Sequence, residues 1–377
     1  MKRRQWLTVT GLTVLSGKAF SGATQKSANE RITCGFIGVG GRGTGLLHTV
    51  LDGLPDVDVV AVCDINPDRL SSAVKAVESK RGKTPTAIGG GGTKDNYAYR
   101  KLVENKTIDT LVISTPCNWH YPMYRDCLMA EKHFYGEKPM CISVKEADDL
   151  WREHKRHPKT VVTIGYQRRA NARYQEAINA VRGGAIGTLI EGRAAWNNAW
   201  GPLRGWFSRR KESGDWMVEQ ACHTWDVFYW LLGSAPSRAF AVGRQDIFAK
   251  DEPGRDVTDF YGAILEWPNG FWLTFTHAWG LVDDAAFIGV YERVVGTDGV
   301  CDLGGGRIRT RAGQRLVGRD VNDTLELLRD FFKCVRTGEK TLSGVENGRI
   351  SVLIGLLVAQ AVYRRDLVTW EQLLKGR

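Results

Sequence analysis

The sequence predicts two α/β units in series: an N-terminal doubly wound parallel sheet, then a C-terminal open antiparallel sheet with helices on one face. Three observations carry this expectation. A glycine-rich turn, Gly38-x-Gly40-x-x-Gly43, directly follows the apolar run Ile32-Thr-Cys-Gly-Phe-Ile37. Short apolar runs then alternate with helical patterns to about residue 165, the rhythm of βαβ units. Beyond that point the strands lengthen and alternate in polarity, as half-solvated antiparallel strands do. A chain of 377 residues also exceeds one ordinary core. The expected units are 31–165 and 166–377, after a leader and linker at 1–30. The last long helix is expected to pack back on the first unit.

The elements follow in order. Helix is predicted at Thr44 to Leu51, and a strand at Val57 to Asp64. Pro67 to Glu78 reads as a helix capped by Asn66. The glycine-rich stretch Lys83 to Thr93 reads as a loop, and Asp95 to Glu104 as a helix. The continuous apolar run Ile108 to Ser114 is a buried parallel strand that Thr115-Pro116 ends. A helix at Tyr121 to Ala130, a strand at His133 to Tyr135, a helix at Ser143 to His154 and a strand at Thr160 to Gly165 complete the unit. In the second half, strands are predicted at Leu189 to Asn198, Arg238 to Gln245, Thr258 to Trp267, Phe271 to Ala278 and Ile288 to Gly296. Trp267-Pro-Asn-Gly270 is a hairpin signal between two of them. Helices are expected at Trp216 to Leu232, Asn322 to Thr337 and Val345 to Arg364. No internal repeat is visible.

The N-terminus has the layout of an export signal. Met1-Lys-Arg-Arg-Gln-Trp-Leu7 precedes a mildly apolar stretch to Leu15, then small residues around Ser21-Gly-Ala23. Arg3-Arg4 resembles the twin-arginine (Tat) pattern, whose substrates cross the membrane folded. A periplasmic or secreted protein is therefore expected, the alternative being a basic tail on a cytoplasmic enzyme. Residues 1–23 hold Lys2, Arg3, Arg4 and Lys18 of a chain whose net charge is +10. The remaining excess is scattered, so nucleic acid is not an expected partner. No apolar run of about 18 residues is evident, so stable membrane insertion is not expected. The eight cysteines show no C-x-x-C and no zinc spacing. Cys34, Cys63 and Cys141 adjoin apolar segments, and the expected state is reduced and packed, with no metal.

The glycine turn carries the first chemistry. Gly38 permits a tight turn, Gly40 lets backbone approach a pyrophosphate, and Gly43 lets the helix pack on the strand. Gly41 and Arg42 lie inside the same turn. Asp64 ends the next strand 21 positions after Gly43, the spacing at which a carboxylate holds a ribose diol. A dinucleotide site follows, with NAD preferred over NADP because a carboxylate repels a 2′-phosphate. Arg69, nearby in sequence, pulls the other way.

In an open parallel sheet, ligands sit beyond the carboxyl ends of the strands. Three segments fall there: Ser114-Thr-Pro-Cys-Asn-Trp-His120, Gly136-Glu-Lys-Pro139 and Gly165-Tyr-Gln-Arg-Arg169. Lys138, between Glu137 and Pro139 at a strand end, is poorly placed for ordinary surface solvation; a salt-bridged lysine is the plain alternative. Later, Glu219 and His223 stand at i and i+4 on a predicted helix, and Asp226 roughly continues their face.

These residues resemble the glucose–fructose oxidoreductase/inositol dehydrogenase (Gfo/Idh/MocA) family. The matches are the glycine turn, Asp64, Thr115-Pro116 with His120, Glu137-Lys138-Pro139, and the helix bearing His223 and Asp226 before Trp230-Leu-Leu-Gly233. They cover nearly everything from residue 31 onward. The resemblance implies a Rossmann domain plus an open antiparallel α/β domain. It implies that Lys138 is the acid/base beside the nicotinamide, and that His223 is a second acid/base or orients substrate. Many members carry aspartate four residues before that histidine, whereas this chain has Glu219. The implied cofactor contacts extend to Ser114, Asn118, His120, Glu137 and Gln167.

The chemistry suits these types. Oxidising a sugar hydroxyl sends hydride to nicotinamide while the hydroxyl proton leaves to a base in reach. A free lysine is protonated at neutral pH. Burial and a cationic nicotinamide are expected to disfavour the ammonium and make Lys138 a usable base. Trp196, Trp200 and Trp206, near Asn197, Asn198 and Arg204, offer flat faces beside polar groups, which suit a pyranose. Arg169 and Asp226 join the candidate substrate set. Arg209-Arg-Lys211 would meet an acidic sugar, unless it is a solvated loop.

Two readings follow. The first is an NAD-dependent oxidoreductase acting on a carbohydrate hydroxyl. The second resembles the NAD-dependent α-N-acetylgalactosaminidases of the same superfamily, where a hydroxyl is oxidised transiently, a neighbouring C–H proton is removed, the glycosidic group leaves, water adds and hydride returns. His223 or Glu219 would be the carbon base there. A non-catalytic binding protein is disfavoured by Lys138. Export bears on the choice, since a cofactor carried out must be regenerated in every cycle. The antiparallel sheet is, by family analogy, a surface for a homo-oligomer.

Overall fold

The computed structural model describes residues 31–375; the expected leader at 1–30 lies outside them. The first unit runs β1 (Ile32–Ile37), α1 (Gly41–Gly53), β2 (Val57–Asp64), α2 (Pro67–Arg81), β3 (Thr86–Gly89), α3 (Arg100–Glu104), β4 (Thr110–Ile113), α4 (His120–Met129), β5 (His133–Gly136), α5 (Val144–Arg156) and β6 (Val162–Ile164). Its sheet has the order β3-β2-β1-β4-β5-β6, every pair parallel. The order reverses between β1 and β4, which opens the crevice where such sheets bind ligands.

Local chemistry accounts for these elements. α2 starts where the Asn66 side chain accepts from the amides of Asp68 and Arg69, with Pro67 at the first helical position. It ends at Gly82, which is left-handed at φ 65°. Ser143 caps α5 by accepting from the Glu146 amide. The segment expected as a loop at 83–93 contains the edge strand β3. β3 is four residues long, with Ile88 its one large apolar side chain, and mostly exposed, so hydrophobic periodicity could not announce it; pairing with β2 makes it a strand.

The second unit continues α6 (Ala172–Arg182), β7 (Leu189–Asn197), α7 (Arg210–Ser213), α8 (Trp216–Glu219), α9 (Cys222–Leu232), β8 (Arg238–Arg244), β9 (Phe260–Glu266), β10 (Trp272–Ala278), β11 (Gly289–Gly296), β12 (Gly299–Asp302), β13 (Arg307–Thr310), β14 (Gly313–Leu316), α10 (Asp323–Thr337), α11 (Val345–Arg364), β15 (Val368–Thr369) and α12 (Trp370–Lys375). The sheet order is β14-β13-β12-β11-β7-β10-β9-β8-β15. It is antiparallel except where β10 pairs with β7 in parallel, a mixed pairing that alternation of polarity cannot reveal. The Trp267–Gly270 hairpin forms, with Gly270 at φ 82° donating to the Trp267 carbonyl.

The helix expected over 216–232 is broken. α8 ends at Glu219 and α9 begins at Cys222. The His223 amide turns to the Gln220 carbonyl instead of that of Glu219, so Glu219 and His223 do not share one helical face.

One face of the second sheet is covered. Trp225 of α9 lies 4.7 Å from Phe275, and Phe228 presses on Gly192. The opposite face leaves Phe240, Ile264 and Trp272 exposed. α11 is long and apolar enough to cross a bilayer by composition, which the sequence reading did not expect. It is a core helix here: most of its apolar window is buried, and its buried Asn347 and Ser351 bond within the protein. α11 touches the first unit through Gly348 against Met140 and Ile164. α10 does so more deeply, placing Leu327, Leu328, Phe331 and Phe332 in one core with β1 and α1. All eight cysteines are buried and unpaired by disulfide.

Candidate active site

The glycine turn is built by two glycines and left open by two others. A Cβ on Gly38, at φ 80°, would lie 2.4 Å from the Ser114 carbonyl oxygen. One on Gly43 would lie 2.0 Å from the Gly38 oxygen. At Gly41 a Cβ would meet nothing within 4 Å, and at Gly40 only the Arg69 guanidinium. Close packing thus demands glycine at 38 and 43, whereas Gly40 and Gly41 face open space. α1 begins at Gly41, inside the turn, and its N-cap Gly40 offers no side-chain cap. Its first amides are free for an anion.

That space is a cleft of about 400 Å³. Gly38, Gly40, Gly41, Arg42, Asp64, Ser114, Thr115 and Pro116, all expected from the sequence, line it. Asp64 is held there by accepting from the amides of Val39 and Asn66, each at 2.8 Å. Sequence reading missed other wall residues. Asp95, Asn96 and Tyr99 arrive through the loop after β3; Trp119 follows Asn118; Phe207 follows Trp206. Trp206, expected at the sugar, stands on this wall beside Phe207. The unpartnered buried oxygens of Asn118 and Gln167 lie in segments at the strand ends. The open glycine backbone, the positive helix end and the anchored carboxylate fit a dinucleotide.

Beside the cleft, β4 and β5 end together, with the Glu137 amide donating to the Ile113 carbonyl. Glu137 is buried, accepting from Arg42 Nε at 2.7 Å and from the Tyr135 hydroxyl. It anchors the glycine turn to β5 and does not line the cleft. Lys138 Nζ donates to Glu219 Oε1 at 2.6 Å and to the Glu219 carbonyl at 2.8 Å. The pair is nearly closed to solvent, with side-chain exposures of 14% and 6%.

Burial presses the Lys138 ammonium toward neutrality, but the Glu219 carboxylate beside it favours the charged form, and the net pKa is raised. Of the two influences expected to disfavour the ammonium, burial does not prevail by itself here, and the lysine is salt-bridged. The counter-charge was not visible because it comes from the break between α8 and α9. Glu219 Oε2 has no partner among the described residues. The Cys222 thiol, beside the pair, is pushed by burial up to about 12 and stays protonated.

His223 lies between aromatic rings. Trp196 stacks at 5.8 Å and Tyr166 meets it edge-on at 6.0 Å. Its pKa falls well below the ordinary value, first through burial and then through the cations of Lys138, Arg168 and Arg42. The imidazole is therefore neutral, and its Nδ1 is buried without a partner among the described residues. Arg168, which sequence reading passed over, lies 5.1 Å over Trp196 and pairs with the buried Glu292. Glu292 also accepts from Tyr174 and Thr224.

Several candidates serve elsewhere. The Asp226 carboxylate is 1% exposed and takes a bidentate fork from Arg169 at 2.8–3.0 Å, plus bonds from Asn347 and Ser351. Arg169 and Asp226 are spent on each other and on α11, not turned to a substrate. His120 is buried with its ring nitrogens 2.6 Å from the Pro139 oxygen and 2.9 Å from the Thr115 oxygen. It ties two strand ends together and cannot also reach a cofactor. Trp200 is 67% exposed near Trp279, away from His223. Arg209 bonds Ser208 and the Pro253 carbonyl, and Arg210 stacks on Tyr363, so that basic run does not face the site.

His277 is the register neighbour of Trp196 and is 1% exposed, with both ring nitrogens unpartnered. Burial lowers its pKa from 6.5 to about 3. The unfolded chain takes up this proton below pH 6.5 and the folded chain does not. Stability is therefore full above pH 6.5 and falls by about 1.4 kcal/mol per pH unit for this group as pH drops toward 3. Urea midpoints between pH 7.5 and 5 should decline less steeply in His277→Phe; an unchanged slope would refute the assignment.

Comparison with known proteins agrees with this architecture. Residues 32–166 match the family model described as oxidoreductase family, NAD-binding Rossmann fold. Residues 174–301 match that of the GFO/IDH/MocA C-terminal domain. A glycosyl hydrolase family 109 protein of Shewanella woodyi is 32% identical over 185 residues, which is 48% of this chain and 37% of that protein. An alpha-N-acetylgalactosaminidase of Shewanella oneidensis is 30% identical over 185 residues, 48% of this chain and 38% of that one. The matched stretch thus spans well under half of either relative. Among solved structures, levoglucosan dehydrogenase in complex with NADH and levoglucosan has a TM-score of 0.75 at 18% identity, covering 91% of this chain and 100% of that one. Scyllo-inositol dehydrogenase from Lactobacillus casei, with bound NAD(H) and scyllo-inositol, has a TM-score of 0.73 at 17% identity, covering 90% and 99%. At these identities the likeness is one of fold.

Proposed function

Because the chain belongs to the GFO/IDH/MocA oxidoreductase family, we propose that it is an NAD-dependent enzyme acting on a hydroxyl of a sugar or sugar derivative. The observation that carries this reading is the Lys138–Glu219 pair, buried beside the dinucleotide cleft. Bound NAD supplies the hydride acceptor. Lys138 receives the hydroxyl proton as it passes one of its own along the 2.6 Å bond to Glu219. Lys138 then stays an ammonium and the proton rests on the Glu219 carboxylate, so a raised pKa does not prevent its action as a relay. Neutral His223 orients the hydroxyl through an imidazole nitrogen. Asp64 holds the ribose diol and favours NAD, with Arg69 across the turn at Gly40.

A second reading is redox-neutral glycoside cleavage. The Nδ1 of a neutral His223, unpartnered among the described residues, favours it, because removal of a C–H proton needs an unprotonated base close to the sugar. The glycosyl hydrolase relatives favour it too. Twin-arginine export, resting on Arg3-Arg4, makes the same demand, since the cofactor must then be regenerated in place.

One experiment separates the readings. Sugars and aryl glycosides are added to NAD-loaded protein while the near-ultraviolet absorbance of reduced nicotinamide is followed. A lasting rise with a free sugar supports net oxidation. Glycoside cleavage without added NAD, with solvent deuterium entering the ring, supports the second. Neither signal across a broad panel would refute both.

A further inference from the structure

We propose that Trp206 and Phe207, supplied by the second unit, belong to the dinucleotide site and act as a strap that must move before the cofactor exchanges. The inference rests on the dinucleotide reading given above. The cleft is walled mainly by the first unit, including the glycine turn and Ser114 to Pro116, but these two residues of the second unit line it as well. Their rings stack on each other at 3.7 Å. Phe207 also stacks 6.0 Å from Trp216, which is fully buried, so the pair has a fixed backing.

The backbone under the rings is clamped within the second unit. Gly205, left-handed at φ 70°, donates its amide to Glu252 Oε1 at 3.0 Å. The Ser208 hydroxyl donates to the Gly205 carbonyl at 2.7 Å, and the Asp256 amide donates to the Ser208 carbonyl at 3.1 Å. The Arg255 guanidinium donates to the Leu203 carbonyl just before it. A cofactor held by the first unit therefore cannot leave along this side unless a loop anchored in the other unit shifts. Aromatic faces suit the task because a dinucleotide presents flat rings and apolar ribose edges. Substrate would then come and go from the His223 side while the dinucleotide stays. Such a device suits an enzyme that restores its own cofactor and hinders one that must release a reduced cofactor every cycle.

The test measures retention directly. Protein loaded with radiolabelled NAD is diluted into excess unlabelled NAD, and the label still bound is followed by rapid gel filtration. Trp206→Ala should release label about tenfold faster than the unaltered protein, with Trp206→Phe between the two. Trp200→Ala, which removes an exposed tryptophan that does not line the cleft, should release at the unaltered rate. Glu252→Gln weakens the clamp without touching the cleft and should give a smaller acceleration; it serves as well should Trp206→Ala fold poorly. Equal release from the unaltered protein and from both Trp206→Ala and Glu252→Gln would overturn the strap while leaving the dinucleotide site intact. No bound label in any protein would overturn the dinucleotide reading itself.

Discussion

Lys138→Met is expected to lower turnover by roughly 10²–10⁴-fold, the range that a positioned acid/base contributes, while the protein still binds NAD. Methionine keeps the length and apolar stem of lysine but cannot carry a proton. The cleft residues Gly40, Gly41 and Asp64 are untouched by the change, so dinucleotide content after gel filtration should match that of the unaltered protein. Glu219→Gln tests the other half of the relay. It preserves a bond to Lys138 Nζ but removes the carboxylate that holds the ammonium. The Lys138 pKa should then fall, because burial is left without its counter-charge. The relay also loses its final acceptor, so turnover near pH 7 should fall, and the rate that remains should rise with pH as Lys138, its pKa lowered, becomes a neutral base. Near-normal turnover in Lys138→Met, or loss of NAD with turnover, would remove Lys138 from the proposed chemistry.

Asp226→Ala is expected to cost about 3–5 kcal/mol of stability, the usual result of leaving one partner of a buried ion pair alone. Arg169 would face a cavity with its guanidinium 12% exposed, and Asn347 and Ser351 would lose an acceptor. The loss should reach beyond α9, since Asp226 joins that helix to the segment after β6 and to α11. Asp226→Asn keeps the shape and part of the hydrogen bonding, and should cost less. Urea unfolding followed by fluorescence reads both. Native stability in Asp226→Ala together with a raised KM for the sugar would return Asp226 to the substrate site, where the sequence had placed it.

The two predictions differ in how visible their grounds were. The glycine turn, Asp64 and the strand ends around Thr115 and Glu137 are local features. Each depends on neighbours within a few positions: a glycine on a tight corner, an acid at a strand terminus, a proline that stops a strand. They could be read along the chain, and the structure places the glycine turn, Asp64 and Thr115 at one cleft, with Glu137 bonded to Arg42 of the turn. Lys138 could be singled out, but its charge state could not, because Glu219 lies 81 positions away. The i, i+4 spacing of Glu219 and His223 suggested a shared face. A helix break at Gln220 and Ala221 instead sends Glu219 to Lys138 and leaves His223 stacked on Trp196.

The tryptophans show the same limit. Trp196, Trp200 and Trp206 look alike in sequence, within one short stretch. The fold sends one to His223, one to solvent and one to the cleft wall. Arg169 falls at a strand end and Asp226 near the face of Glu219 and His223, which placed both among the substrate candidates. Only their pairing across 57 positions shows that the cost of burying their charges is met inside the protein.

The sequence by itself determined the parallel first sheet, the glycine turn with its acid, and the presence of a lysine at a strand end. These follow from periodicity, turn stereochemistry and chain order, which act over short range. The tertiary structure decided which charges neutralise one another, how α10 enters the first core, and that the second unit supplies Trp206 and Phe207 to the cleft. Those outcomes depend on burial and on partners distant in sequence, and a charge's behaviour is set by what surrounds it once water has been removed.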